Sequence, residues 1–200
     1  MRTAETEVYE FNELSDEAKE NARRMYRANA FDYDWWEYVY DDTKSAAELL
    51  GISINNIQFS GFWSRGDGAS FTGSYRYAKG ALKSVKEYAP EDEELHRIAG
   101  GLQSIQKRYF YSLRASITNG AGSNYYSHSG TMHVDVWDSR RSMYADLGDA
   151  EDDLADLMRS FADWIYTRLE REFEFLTSDE QIDEALCANG YEFTEYGSVY

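Results

Sequence analysis

An α+β fold follows from three features of the chain. Apolar residues recur at helical spacing up to Leu50, at alternate positions from Ile52, and at helical spacing again in the last third. Strand signals gather in the middle and helix signals at both ends. That grouping predicts a small antiparallel sheet, of about four to six strands, covered by helices from both ends of the chain. Two hundred residues suit one α+β domain over 1–200, with the acidic helical region 149–190 at most a sub-lobe.

Each element has a local reason. Glu7–Phe11 reads as a short strand. Ser15 then caps a helix to about Ala28, with Asp16, Glu17 and Glu20 early and Arg23, Arg24 and Arg27 late, the order that complements the helix dipole. Asp34 with Glu37 opens a second helix that runs to Leu50 and stops at Gly51, with Trp35, Val39, Ala46 and Leu49 on its inner face. Ile52, Ile54 and Ile57–Phe59 form a strand, and Ala69–Tyr77 its hairpin partner across Gly66-Asp67-Gly68. Lys79–Tyr88 is helical. Pro90 precedes Glu91–Glu94, which begin a helix to about Tyr109. Phe110–Thr118 and Thr131–Trp137 are strands joined by a Gly/Ser/Asn/Tyr loop. A long helix covers Asp149–Glu174, Ser178 and Gln181 open a short one ending at Gly190, and Tyr191–Tyr196 is a closing strand.

Charge is unevenly spread. Residues 1–50 carry net −7, residues 51–140 net +2 and residues 141–200 net −12, of a total of −17. On the long helix, at 100° per residue, Asp149, Asp152, Asp156, Asp163, Glu170 and Glu174 share one line, and Leu154, Met158, Phe161 and Ile165 lie nearly opposite. Burying the apolar stripe turns a carboxylate row roughly 37 Å long toward water. Such a row is either a solvated face that keeps the protein in solution or a surface for a basic partner. One carboxylate per ~6 Å is sparser than the phosphates of a nucleic-acid strand, about one per 3.4 Å, so neighbours such as Glu151, Asp153 and Glu172 would have to fill in a mimic.

Other candidate sites are weaker. In Phe62-Trp63-Ser64-Arg65-Gly66-Asp67-Gly68, the aromatic beside Arg65 suits an interface, with a tight hairpin whose aromatics fill the core as the alternative. Trp63, Arg65 and Asp67 join the acidic row as candidate partner-binding residues. His128 and His133, near Asp135, have the wrong spacing for one face of a strand and predict no metal site. Cys187 reads as a small core residue. Acidic neighbours around Trp35, Trp36, Tyr38 and Tyr40 argue against base stacking, so direct nucleic-acid binding is not expected. No nucleophile, base and oxyanion site assemble, so catalytic residues and cofactors are expected to be absent. No apolar run spans a membrane, MRTAETEVYEF lacks a signal-peptide core, and one cysteine suits a reducing compartment; the expected location is the cytoplasm of a bacterial cell.

The block SGFWSRGDGASFTGSYRYAKGAL (Ser60–Leu82), with the opening VYEFNELSDEAKENAR and the later LTSDEQIDEALCANGYEFTE, resembles a family of small proteins common in bacteriophages and prophages. The resemblance runs from about Val8 to Glu195. Members of that family are often called antitoxins of toxin–antitoxin stability systems, which implies a toxin as partner. The chain departs from a DNA-binding antitoxin in having no basic cluster beyond Arg23-Arg24, Lys107-Arg108 and Arg140-Arg141. The phage association and the charge imply an acidic inhibitor of a basic, nucleic-acid-handling host protein, acting against host defence in the manner of an anti-CRISPR protein or DNA mimic. Neutralisation of a cognate toxin is the alternative, and an enzyme of unknown class the second.

Overall fold

The computed structural model describes residues 7–120, 127–142 and 146–200, and in them the α+β class is realised. These residues form six α-helices, one four-stranded antiparallel sheet and one two-stranded sheet. Residues 121–126 of the expected Gly/Ser/Asn/Tyr loop lie outside the described residues. Backbone contacts divide the chain into two compact units.

One unit holds the residues up to Glu37 together with Arg171–Tyr200. Its first strand is shorter than expected: β1 is Tyr9–Glu10, and Phe11–Glu13 turns into a 3-10 helix. Helix α1 (Asp16–Asn29) starts where Ser15 Oγ accepts the Ala18 N–H at 3.3 Å. Near the C-terminus, α6 (Asp179–Ala188) is capped the same way by Ser178, and β6 is only Glu192–Phe193. β1 and β6 pair antiparallel, Tyr9 opposite Phe193. Phe11, Leu14, Ala18 and Ala22 pack on Ile182, Leu186 and Phe193. The helix charges then meet. Arg23 donates through Nε and Nη2 to both carboxylate oxygens of Asp183 at 2.7 Å, and Arg27 pairs with Asp179 while its Nε donates to Thr177 O at 2.9 Å. Cys187 is exposed rather than in the core, because Ile182 and Leu186 occupy the inward side of α6.

The other unit, Tyr38–Glu170, carries the larger sheet. Helix α2 (Glu37–Leu50) buries Val39, Ala46, Ala47 and Leu50; Leu49 is only half-buried, one position off the inner line. Gly51, at φ +83°, ends it, since a Cβ there would lie 2.0 Å from Arg76 O. β2 (Ile52–Ser60) and β3 (Gly68–Arg76) form the expected hairpin, with an irregularity between Ile54 and Asn56. Helices α3 (Ala81–Tyr88) and α4 (Glu93–Arg108) follow, α4 capped by Asp92 Oδ1 accepting the Leu95 N–H at 2.9 Å.

β4 (Leu113–Asn119) and β5 (Met132–Asp138) complete a sheet of order β2-β3-β4-β5. β4 begins later than Phe110 because the end of α4 takes those residues. Phe110 and Tyr111 sit at φ +51° and +64°, and the Tyr111 N–H closes the helix on Gln106 O at 2.7 Å. Gln106, fully buried, extends the ladder with its side chain: Nε2 donates to Leu113 O at 2.8 Å and Oε1 accepts the Leu113 N–H at 3.2 Å.

Helix α5 (Ala150–Leu176) is one uninterrupted element. Leu154, Met158, Phe161 and Ile165 are fully buried, as the helical spacing predicts. Phe161 meets Phe71 of β3 edge to face at 5.7 Å, which seats α5 on the inner side of the sheet. Gly101 of α4 permits the close approach of α5, since a Cβ there would stand 2.8 Å from Leu157 Cδ2. Among the described residues no helix is long and apolar enough to cross a membrane.

Asp138 is the buried charge of this unit. Burial pushes its carboxyl up, but the Ser112 hydroxyl and the Arg140 N–H and guanidinium outweigh that and hold it at about 2. Its folded value lies below the ordinary 3.8, so the ionised form stabilises the fold above about pH 4 and that contribution is lost as pH falls toward 2. Acid titration of urea stability should therefore show a steeper loss between about pH 4 and 2 in the native chain than in Asp138→Asn. Equal slopes would remove Asp138 from the acid limb.

Candidate functional site

The arrangement of the larger unit brings together two features that lie a hundred residues apart. Asp149, just before α5, and Asp152, Asp153, Asp156 and Asp163 along it are exposed, and Glu170 is half-buried. From Asp149 to Glu170 the row covers about 32 Å of helix. Two of its members are engaged: Asp156 accepts from Arg159 Nη1 at 2.9 Å, and Asp153 from Arg108 Nη2 at 2.6 Å. Asp149, Asp152, Asp163 and Glu170 make no ion pair among the described residues. Exposed i,i+3 pairs such as Asp156–Arg159 contribute only roughly 0.3 kcal/mol to stability, and the two guanidiniums offset the row's field at Asp153 and Asp156 alone. Glu174, the last acid of the line, belongs to the other unit and is exposed there.

One basic residue of the same helix, Arg168, is held on another side. Arg168 donates through Nη2 to Asp42 Oδ2 at 2.5 Å and lies 4.9 Å over the Trp164 ring. Trp164 Nε1 donates to Asp92 Oδ2 at 2.7 Å, and the Tyr88 hydroxyl donates to Asp42. This network holds the Arg168 guanidinium on Asp42 and Trp164 rather than on the carboxylate row.

The β2–β3 hairpin loop stands beside the C-terminal part of that row. Phe62 packs on Phe59 at 5.8 Å and on Tyr166 of α5 at 5.5 Å, so it is half-buried. Trp63 is not a core plug: it is 69% exposed and sits at φ +69°, a backbone region that costs a non-glycine residue about 1 kcal/mol or more. Asp67 has a structural duty, its Oδ2 accepting the Ser64 N–H at 2.6 Å to close the turn. Arg65 is exposed at the loop tip. Burial raises the Tyr166 hydroxyl above its ordinary value, and the charges of Glu170 and Asp67 raise it further. That double influence places both carboxylates in the field of one side chain. The sequence singled out the loop and the row separately; Tyr166, which joins them, carried no signal of its own.

The remaining candidates are accounted for locally. His128 Nδ1 accepts the Gly130 N–H at 3.0 Å, capping a turn, while His133 is exposed on β5. Among the described residues no group of three or more His, Cys, Asp or Glu is placed to hold a metal ion. Trp35 is buried against Phe173 at 5.4 Å and Trp36 at 5.6 Å, within the smaller unit. Glu94, hydrogen-bonded by Arg97, has its carboxyl lowered, as does Asp138; neither moves upward as a general acid requires.

Fold and site together define an acidic α+β protein whose carboxylate row adjoins an exposed aromatic loop. The chain belongs to the family described as Domain of unknown function (DUF8835), whose model matches residues 35–179. No curated protein and no solved structure matches it.

The contact between loop and row is open to a direct check. The Tyr166 hydroxyl should titrate above 10.0, and Asp67→Asn, whose amide oxygen can still accept the Ser64 N–H, should lower its value, read by ¹³Cζ-tyrosine NMR. An unchanged titration in Asp67→Asn would separate the row from the loop.

Proposed function

We propose that the chain is a phage-type acidic binding protein that blocks a basic, nucleic-acid-handling protein of the bacterial host. The single observation that supports this reading most is the uninterrupted α5 with its outward carboxylates beside exposed Trp63. The row supplies a negative field that speeds encounter with a cationic groove. Trp63 and Arg65 supply what the row lacks, a desolvated aromatic anchor and a directional donor, the residue types that concentrate interface energy. Occupying the groove excludes nucleic acid by occlusion, with no chemistry on either partner.

The carboxylate spacing limits the mimicry. Even with Asp153 and Glu151 added, the row repeats a charge less regularly than a phosphate backbone. The surface is therefore complementary to a cationic groove rather than a copy of DNA. Neutralisation of a toxin encoded beside the chain uses the same surface and differs only in partner.

The test is capture from host lysate with the native chain and with Asp149→Asn/Asp152→Asn/Asp163→Asn. These exposed side chains can be neutralised without unfolding the helix. A basic partner should be retained by the native chain, lost by about tenfold in affinity in the triple variant, and released as salt rises from about 0.05 to 0.5 M. Retention that is indifferent to both salt and the substitutions would contradict the proposal. The same partner should be retained by Glu184→Gln, an exposed acid on α6.

A further inference from the structure

The face of the larger sheet away from α5 carries an opposite charge. Alternation along the strands turns Leu113, Ala115 and Ile117 of β4 inward and Arg114, Ser116 and Thr118 outward. The register sets Arg76 of β3 opposite Arg114 of β4, and Arg114 opposite Trp137 of β5. One cross-strand row therefore reads Arg76–Arg114–Trp137. The two arginines are exposed and the indole is half-exposed.

Directly opposed like charges on a sheet are unfavourable, because their Cβ atoms stand only about 5 Å apart. Most other described arginines pair with a carboxylate, among them Arg23, Arg27, Arg97, Arg108, Arg140 and Arg168, while Arg24, Arg65 and Arg171 stand singly without an ion pair among the described residues. Arg76 and Arg114 have no ion pair and no side-chain hydrogen bond among the described residues. In a chain with 37 acidic and 20 basic residues, an adjacent unanswered pair is conspicuous. The acid of the next row, Asp135, is opposite Ser116, not an arginine.

The pair also lines a concavity. A cleft of about 410 Å³ is bounded by Arg76, Arg114 and Trp137, with Ser53 and Ser74 contributing hydroxyls. That volume is in the range of small-molecule sites. Two guanidiniums present more donors than one carboxylate can accept, and they match a dianionic group with three terminal oxygens. The indole beside them offers a flat face for a ring. A long polyanion would meet the net −17 of the rest of the chain, whereas a compact dianion would meet chiefly the two arginines, with Asp135 one row away on the same face.

We propose that Arg76, Arg114 and Trp137 form a binding site for a small nucleotide, with a phosphate on the two guanidiniums and the base against the indole. This site lies on the other side of the sheet from the carboxylate row and goes beyond the partner-binding reading. Neither depends on the other.

Calorimetric titration of the full chain tests it, with adenosine monophosphate, inorganic phosphate, adenosine and a single-stranded decanucleotide as probes. The monophosphate should bind about tenfold more tightly than phosphate or adenosine, and Arg76→Gln or Arg114→Gln should each weaken it about tenfold. Trp137→Leu should reduce its affinity to that of phosphate alone. Either arginine variant should also keep or slightly raise the thermal midpoint, because a like-charge contact is removed, so lost binding cannot be lost folding. No binding of the monophosphate at millimolar concentration, or binding as tight in both arginine variants as in the native chain, would overturn the site. Phosphate binding as tightly as the nucleotide would overturn the base contact, and tighter binding of the decanucleotide would overturn the choice of a small ligand.

Discussion

The burial of one side of α5 is the constraint on which the larger unit depends. Leu154, Met158, Phe161 and Ile165 are all fully buried, and Phe161 meets Phe71 at the sheet. Burial of four such side chains contributes about 2 kcal/mol each, enough to fix the rotation of the helix about its axis. Once that rotation is fixed, the opposite line has nowhere to go but outward. The carboxylate row is thus a consequence of packing on the far side of the same helix. Gly101, by letting α4 approach, and Gln106, by holding the start of β4, keep the platform under α5 in place.

The two units divide charge in different ways. In the smaller one, acids and bases are matched across elements: Arg23 on Asp183, Arg27 on Asp179. In the larger one matching is incomplete: Arg97, Arg108, Arg140, Arg159 and Arg168 pair with carboxylates, while Asp149, Asp152 and Asp163 beside and along α5 and Arg76 and Arg114 on the outer sheet face have no ion pair among the described residues. Arg168, which could have neutralised the row, is held by Asp42 and Trp164 instead. Like charges gathered on one face repel one another, a cost that a partner of opposite charge would relieve.

Much of this was legible in the chain. The helical periodicity of α5, the Ser15 and Ser178 caps, and the hairpin around Gly66-Asp67-Gly68 are local properties, and local chemistry predicts them. What escaped was of two kinds. Some elements ended differently because a residue adopted an unexpected backbone: Phe110 and Tyr111 take left-handed conformations that a sequence reader reserves for glycine, so β4 starts at Leu113. Cys187 missed the core by one position on a short helix. The rest depends on pairing between distant segments. Arg76 faces Arg114, and Phe62 meets Tyr166, only because of strand register and helix docking, which no local pattern encodes. For the same reason the union of β1 with β6 could not be read from either end alone.

If the outward row is the contact surface, carbodiimide footprinting of carboxylates reports on it residue by residue. In the free chain Asp149, Asp152 and Asp163 should label readily while buried Asp138 should not. In the complex with the captured partner, Asp149, Asp152 and Asp163 should be strongly protected and Glu184 on α6 not at all, as contact through the row requires. Undiminished labelling of those three aspartates in the complex would contradict it, and α5 would then be a solvated helix and nothing more.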